Sequence, residues 1–120
     1  MKAAIDIDGT LAKWPMILGA LSRALKKDGW SVVLLTGALH PDPEKADRAG
    51  MLRGRQRQVE PFGAAFDEIV VCAGRTTLQV AWQKAEYCRQ HGIDLCIDDS
   101  REYTNEIRHL SPKTLALEVR

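Results

Sequence analysis

Residues 2–15, KAAIDIDGTLAKWP, decide the fold of this chain. The apolar run Lys2–Ile7 predicts a buried strand, and it carries two aspartates, Asp6 and Asp8, that are followed at once by Gly-Thr. Two carboxylates so close together repel one another, so a core strand that ends in them is expected to form part of a site. Because residues two apart on a strand point to the same side, both side chains are expected to face that site.

The rest of the chain alternates apolar runs with helical patterns. Further strands are predicted at Ser31–Leu35, Glu68–Cys72, Asp94–Ile97 and near Thr114–Val119, and helices from Ile17 to near Gly29, from the HPDPEK loop to about Val59, over Thr76–His91 and over Glu102–Leu110. Short apolar strands in the order βαβαβαβαβ favour a parallel sheet with helices on both faces. Right-handed crossovers then predict a single doubly wound, Rossmann-like α/β domain over residues 1–120 with a five-stranded sheet.

Composition gives no support to several classes of function. The chain has 17 basic and 16 acidic residues and a net charge of +1, which gives no electrostatic argument for binding nucleic acid or an acidic membrane. Three cysteines without a CxxC pair are expected to be reduced core thiols of a cytoplasmic protein. Asp6 and Asp8 interrupt any secretory signal, and no apolar stretch is long enough to cross a membrane.

Polar residues follow the strands at the edge where a doubly wound sheet binds its ligand. Asp98 and Asp99 come at the end of the fourth strand. If that strand neighbours the first, they join Asp6 and Asp8, and four carboxylates share one crevice. They cannot all stay ionised without a compensating cation. An all-oxygen ligand set with positions left for water suits Mg²⁺ better than zinc or copper, so a magnesium site is predicted.

Three further residues are suited to holding phosphate. Thr36 offers a hydroxyl, Gly37 leaves main-chain N–H groups accessible, and Lys84 on the third helix can carry an ammonium back to the crevice. A cation, a hydroxyl, amide donors and an ammonium around a carboxylate nucleophile would stabilise a transferring phosphoryl group. The residues therefore predict phosphoryl transfer through an aspartyl-phosphate.

These residues resemble a known family. IDIDGTL (5–11), LLTG (34–37), Lys84 and CIDDS (96–100) are similar, in order, to the four motifs of the haloacid dehalogenase-like (HAD-like) superfamily of phosphohydrolases. The resemblance implies that Asp6 is the nucleophile and Asp8 the general acid/base of a phosphatase. It also implies that Asp6, the Asp8 carbonyl and the Asp98–Asp99 pair hold Mg²⁺, with Asp99 the more direct ligand of the two, and that Thr36, Gly37 and Lys84 bind the phosphoryl group.

The short spacing between the first two motifs indicates which kind of family member the chain resembles. Only 27 residues separate Asp8 from Thr36, which leaves room for one helix and its turns. The chain thus resembles a minimal member without a cap domain, with the family's strand order 5-4-1-2-3. An open site would admit a phosphorylated protein, a nucleic-acid end, or a small phosphate ester or nucleotide. It is also compatible with a cover supplied by a second copy, that is, a homo-oligomer.

Purely structural roles are the alternative for several of the residues named above. Asp6 and Asp8 could form a turn capped on its glycine, and Lys84 could be a solvated helix residue. The run Arg53, Arg55 and Arg57 could grip a polyanionic substrate or form a solvated helix face paired with nearby acids.

The aromatic residues and the overall activity also carry alternatives. Trp14 could stack on a ligand ring or pin the following helix, whereas Leu78 and Trp82 are expected in the core. A member that keeps the Mg²⁺ and phosphate site as a non-catalytic binding or scaffold protein is the alternative function.

Overall fold

The computed structural model describes all 120 residues. The strands are β1 (Lys2–Ile5), β2 (Ser31–Leu39), β3 (Glu68–Gly74), β4 (Leu95–Asp98) and β5 (Leu115–Glu118), and the helices are α1 (Pro15–Lys27), α2 (Arg48–Val59), α3 (Thr77–His91) and α4 (Arg101–Leu110). All five strands pair in parallel, in the order β3-β2-β1-β4-β5. The predicted doubly wound sheet, its order 5-4-1-2-3 and the lack of a cap domain are confirmed.

Two apolar layers hold the helices on the sheet. On one face, α3 and α4 bury Val80, Ala85, Cys88 and Ile107 against β-strand residues. On the other, Leu18 of α1 and Val59 of α2 pack on the alternate residues of the same strands. Because each strand is covered on both sides, its residues are apolar without alternation, which is why these runs were recognisable in the sequence.

Strand ends differ from the predicted ones where the chain enters the crevice. β1 stops at Ile5 instead of Ile7, since the chain turns away after Asp6, whose N–H still donates to the Ile97 carbonyl at 2.9 Å. β2 continues to Leu39 instead of ending at Leu35, because its last residues pair with β3 as far as Gly74. Residues after Leu35 therefore lie in a strand that forms one wall of the crevice.

The prediction that Leu78 and Trp82 lie in the core is wrong. Their side chains are 69% and 54% exposed. Helix α3 uses the flank carrying Val80, Lys84 and Cys88 to cover the sheet, and β3 is an edge strand, so nothing packs beyond the flank that carries Leu78 and Trp82. None of the helices combines the length and the apolar character needed to span a membrane.

Candidate functional site

The carboxyl ends of β1, β2 and β4 bring the predicted residues together. Ile5 pairs with Leu34 on one side and with Ile97 on the other, so the residues that follow these positions share one edge of the sheet. Asp6, Asp98 and Asp99 each place a carboxylate oxygen there, and the three oxygens lie within 4.8 Å of one another. Asp6 and Asp98 are buried, whereas Asp99 is exposed.

The turn after β1 brings Asp99 close to Asp6. Gly9 adopts a φ of 71°, and a Cβ atom at this position would lie 2.2 Å from Oδ2 of Asp99. Only glycine fits both the backbone conformation and this approach. The buried Thr10 hydroxyl lies 3.1 Å from Oδ2 of Asp6 and 3.2 Å from Oδ1 of Asp99, and it links the two carboxylates. This role of Thr10 was not predicted from the sequence, although its place beside Gly9 was a signal.

Lys84 forms the floor of the site. Its Nζ is fully buried and donates to Oδ1 of Asp6 at 2.8 Å and to Oδ2 of Asp98 at 2.7 Å. It also lies 4.5 Å from the centre of the Tyr103 ring. Burial alone would lower the pKa of Lys84, but the two carboxylates outweigh that effect and hold the pKa above its ordinary value. The lysine is therefore a fixed positive charge.

One ammonium does not balance the acidic cluster. Burial raises the pKa of Asp6 to about 7, because Lys84 only partly offsets the loss of hydration and the charge of Asp98 adds to it. Burial likewise raises the pKa of Asp98. With all three carboxylates ionised the cluster has an excess of two negative charges over Lys84, which equals the charge of one divalent cation.

Thr36 carries an unsatisfied hydroxyl and is one of the residues that line a neighbouring cavity. Its side chain is fully buried, and its Oγ1 is the one buried side-chain polar atom without a hydrogen-bond partner. It lines a cavity of about 240 Å³ whose walls are residues of the strand ends and of α4: Asp6, Asp8, Thr36, Gly37, Asp99, Ser100 and Tyr103. Ser100 and Tyr103 were not predicted as site residues; Ser100 ends the CIDDS motif, but the place of both beside the cavity depends on where α4 begins.

Asp8 is held apart from the other three carboxylates. Its side chain is 61% exposed, and α2 supplies both of its partners: Arg55 Nη1 donates to Oδ2 at 2.7 Å and Gln58 Nε2 donates to Oδ1 at 2.8 Å. Partial burial would raise the pKa of Asp8, but the hydrogen bonds from Gln58 and Arg55 and the charge of Arg55 outweigh it and hold the pKa below its ordinary value. Asp8 is thus an ionised carboxylate at the rim of the cavity.

The donor set fits a hard divalent cation. The three clustered side chains offer only carboxylate oxygens, with neither histidine nor cysteine among them, and Mg²⁺ prefers such oxygen ligands. Lys84 occupies one oxygen of Asp6 and one of Asp98. The second oxygen of Asp6 accepts from the Thr10 hydroxyl and that of Asp98 from the Ser100 N–H, so both lie outside the lysine contact. The charge excess of the cluster and its all-oxygen ligands both favour a divalent cation such as Mg²⁺.

A second and larger groove is lined by none of the three clustered carboxylates. It has a volume of about 830 Å³ and lies against α3, where Trp82 and Leu78 are exposed, with Arg48 and Arg75 also on its walls. None of the predicted site residues lines it. The predicted residues thus converge on the smaller, polar cavity.

Comparisons with known proteins bear on the family. No protein-family model and no curated protein sequence matches the chain. Among solved structures, a universal stress protein in complex with cAMP aligns with a TM-score of 0.61 and 12% sequence identity, covering 100% of this chain and 97% of that one. At this identity the likeness shows the fold alone.

Taken together, the comparisons contradict the family resemblance drawn from the motifs. A universal stress protein belongs to a different superfamily from the HAD-like phosphohydrolases, and no family model supports the latter. The predicted phosphohydrolase function, its enzyme class and the HAD-like scaffold alternative are corrected accordingly. Doubly wound sheets in general gather polar residues where their strands end, so motifs at these places do not identify one superfamily. The catalytic roles predicted for Asp6 and Asp8 are untested by any observation and stay predictions.

Proposed function

We propose that this chain binds a phosphorylated small molecule, with nucleotides as the leading class, through a divalent cation. Asp6, Asp98 and Asp99 would hold Mg²⁺, and Thr36, the Gly37 main chain and Lys84 would support the phosphate. Bound there, the cation would neutralise both the carboxylates and the phosphate. Asp8 would contribute through its carbonyl only, because Arg55 and Gln58 occupy its carboxylate.

The observation that carries the proposal is the free hydroxyl of Thr36. A buried polar group without a partner costs about 1–3 kcal/mol, and this one lies on the wall of the cavity that also contains Asp6 and Asp99. A phosphate oxygen in the cavity would accept the missing hydrogen bond. The unsatisfied donor and the unbalanced carboxylates are two independent signs of the same ligand: an anion that arrives with a divalent cation.

The size of the cavity and the structural match support a small ligand. A volume of about 240 Å³ is below the usual range of about 300–1,000 Å³ for sites that enclose a whole drug-sized molecule. The cavity is therefore suited to the phosphate part of a ligand whose organic part lies outside. The aligned universal stress protein was solved in complex with cAMP, which supports a nucleotide over a phosphorylated protein or a nucleic-acid end.

A cytoplasmic location belongs to the same proposal. All three cysteines, Cys72, Cys88 and Cys96, are buried and unpaired, as expected in a reducing compartment. A homo-oligomer that covers the open cavity stays a prediction, which sedimentation of the purified chain would test.

Binding with and without Mg²⁺ tests the proposal. Isothermal titration calorimetry with AMP, ADP, ATP and cAMP should give heat of binding when Mg²⁺ is present and none after chelation. Asp99→Asn should weaken that binding at least about tenfold, because it removes one charged ligand. Asp28→Asn is the matched control, since Asp28 is exposed and lies at the end of α1, before β2 begins. Absence of Mg²⁺-dependent binding for all four nucleotides would refute the proposal.

A further inference from the structure

The structure separates the three arginines of the run Arg53, Arg55 and Arg57. The side chain of Arg55 is 19% exposed and turned toward the cavity, where it pairs with Asp8. Arg53 and Arg57 instead line an open hollow on the surface of α2 together with Glu60. Arg55 therefore lies where it could contact a polyanionic ligand, whereas Arg53 and Arg57 lie on a solvated helix face.

The Arg55 guanidinium spans the rim of the cavity. Its Nη1 donates to Asp8 at 2.7 Å and to Oε1 of Gln58 at 2.8 Å, while Nη2 donates to the carbonyl of Gly37 at 2.9 Å. Asp8 and Gly37 both line the cavity. Lys84, by contrast, is fully buried beneath it, between Asp6 and Asp98. Two cations therefore contact residues that line the cavity: Lys84 contacts Asp6, and Arg55 contacts Asp8 and Gly37.

We infer that Arg55 is a specificity-determining residue, which binds the second phosphate of a ligand that carries a phosphate chain. This inference rests on the proposed function. A first phosphate beside Thr36 and the cation would direct the next phosphate outward, past Gly37 and toward the guanidinium. Arg55 would exchange the Asp8 carboxylate for that phosphate, and the favoured ligands are then nucleoside di- and triphosphates rather than monophosphates.

The contacts that Arg55 and Asp8 make in the ligand-free protein indicate that this exchange costs little free energy. The Arg55 side chain is 19% exposed, but its partner Asp8 is 61% exposed, and an ion pair that water reaches from one side contributes less to stability than a fully buried one. Asp8 would keep its hydrogen bond from Gln58, and the Gly37 carbonyl would keep Nη2 in place. A phosphate group offers more charge than a carboxylate and accepts the planar guanidinium in a two-point contact.

Titration with inorganic phosphate, pyrophosphate and tripolyphosphate at saturating Mg²⁺ tests this inference without an organic group. Arg55→Ala should weaken pyrophosphate and tripolyphosphate binding about tenfold or more, and inorganic phosphate binding by less than about threefold. Arg53→Ala is the matched control on the same helix and should change neither. Equal weakening of all three anions by Arg55→Ala, or no weakening, would overturn the inference.

A second variant, Asp8→Asn, tests the role of Arg55 even if Arg55→Ala folds poorly. Asp8→Asn removes the competing carboxylate and frees Arg55, so pyrophosphate affinity should rise about threefold or more, and the rise should vanish in Asp8→Asn/Arg55→Ala. Unchanged or weaker pyrophosphate binding by Asp8→Asn would contradict the exchange. If the unaltered chain binds none of the three anions with Mg²⁺, the proposed function itself fails; if it binds them without preference for the chain anions, only the role of Arg55 fails.

Discussion

Nζ of Lys84 lies 2.8 Å from Oδ1 of Asp6, although the two residues are 78 positions apart in the chain. Both groups are buried, and the same ammonium also donates to Asp98 at 2.7 Å. A single lysine thus holds the ends of β1 and β4 together from α3. Since a buried ion pair becomes costly when one partner is removed, this contact is both a structural support and part of the candidate site.

Lys84→Met should lower the free energy of unfolding by about 3–5 kcal/mol, because it leaves Asp6 and Asp98 buried without a counter-charge. Mg²⁺ should restore part of the loss, since the cation can take over the compensation. Thermal and urea denaturation with and without Mg²⁺ measure both effects. Lys27→Met, at an exposed position at the end of α1, serves as the control; equal stability of the two variants would contradict the role of Lys84.

Thr36→Val should stabilise the ligand-free protein and weaken phosphate binding. It replaces the unsatisfied buried hydroxyl with a methyl group of similar size, which removes a cost of about 1–3 kcal/mol. Urea denaturation and calorimetry with ADP and Mg²⁺ measure the two changes.

Thr104→Val is the contrasting control for Thr36→Val. Thr104 is also fully buried, but its hydroxyl donates to the Arg101 carbonyl at 3.2 Å. This variant should lose about 1 kcal/mol of stability and keep its ADP affinity. A Thr36→Val protein that is less stable than the unaltered chain would show that the hydroxyl is already satisfied.

Gly9→Ala should be more damaging than Gly29→Ala. Both glycines have positive φ, 71° and 87°, so alanine costs about 1–2 kcal/mol at either position. At Gly29 nothing lies within 4 Å of the added Cβ, whereas at Gly9 it meets Asp99. Gly9→Ala should therefore also displace that carboxylate and lower Mg²⁺ affinity, as measured by calorimetry. Equal Mg²⁺ affinity of the two variants would contradict the position of Asp99.

Asp67→Asn should change the response of the protein to acid. The hydrogen bond from Lys26 and that from the Val32 N–H, at 2.7 Å, hold the pKa of Asp67 below its ordinary value. A lowered pKa contributes stability above the unfolded-state value, and that contribution is lost as the pH falls through the folded-state value. Asp67→Asn should thus be less stable at neutral pH and approach the unaltered protein as the pH falls below the ordinary aspartate value of about 3.9, as followed by urea denaturation. A constant difference across this range would contradict the assignment.

The sequence was sufficient for the doubly wound sheet and for most of the residues around the cavity, whereas the strand order was given only by the family resemblance. Apolar strands buried on both faces, each followed by polar residues, allow little other than a doubly wound sheet. Asp6, Asp98 and Thr36 stand at strand ends, and their convergence follows from the topology. The extension of β2 to Leu39 was not predictable, because it depends on pairing with β3.

Contacts between distant helices and the cavity escaped prediction. The pairing of Arg55 with Asp8 joins residues 47 apart, and it depends on how α2 lies beside the turn after β1. Trp82 has the spacing of a core residue, but only the position of β3 at the sheet edge shows that its flank of α3 is uncovered. The family could not be identified from the motifs for a related reason: polar residues at strand ends belong to the fold as a whole.

The most direct test asks whether a phosphate and a divalent cation share the cavity. Mn²⁺ would replace Mg²⁺, and the ³¹P signals of ADP would be recorded with the unaltered protein, with Asp99→Asn and with Asp28→Asn. The account predicts strong paramagnetic broadening of the phosphate signals with the unaltered protein and with Asp28→Asn, beyond that of Mn²⁺ and ADP alone, and little added broadening with Asp99→Asn. Equal broadening with and without Asp99 would contradict the account, because the cation would then not be held by this cluster.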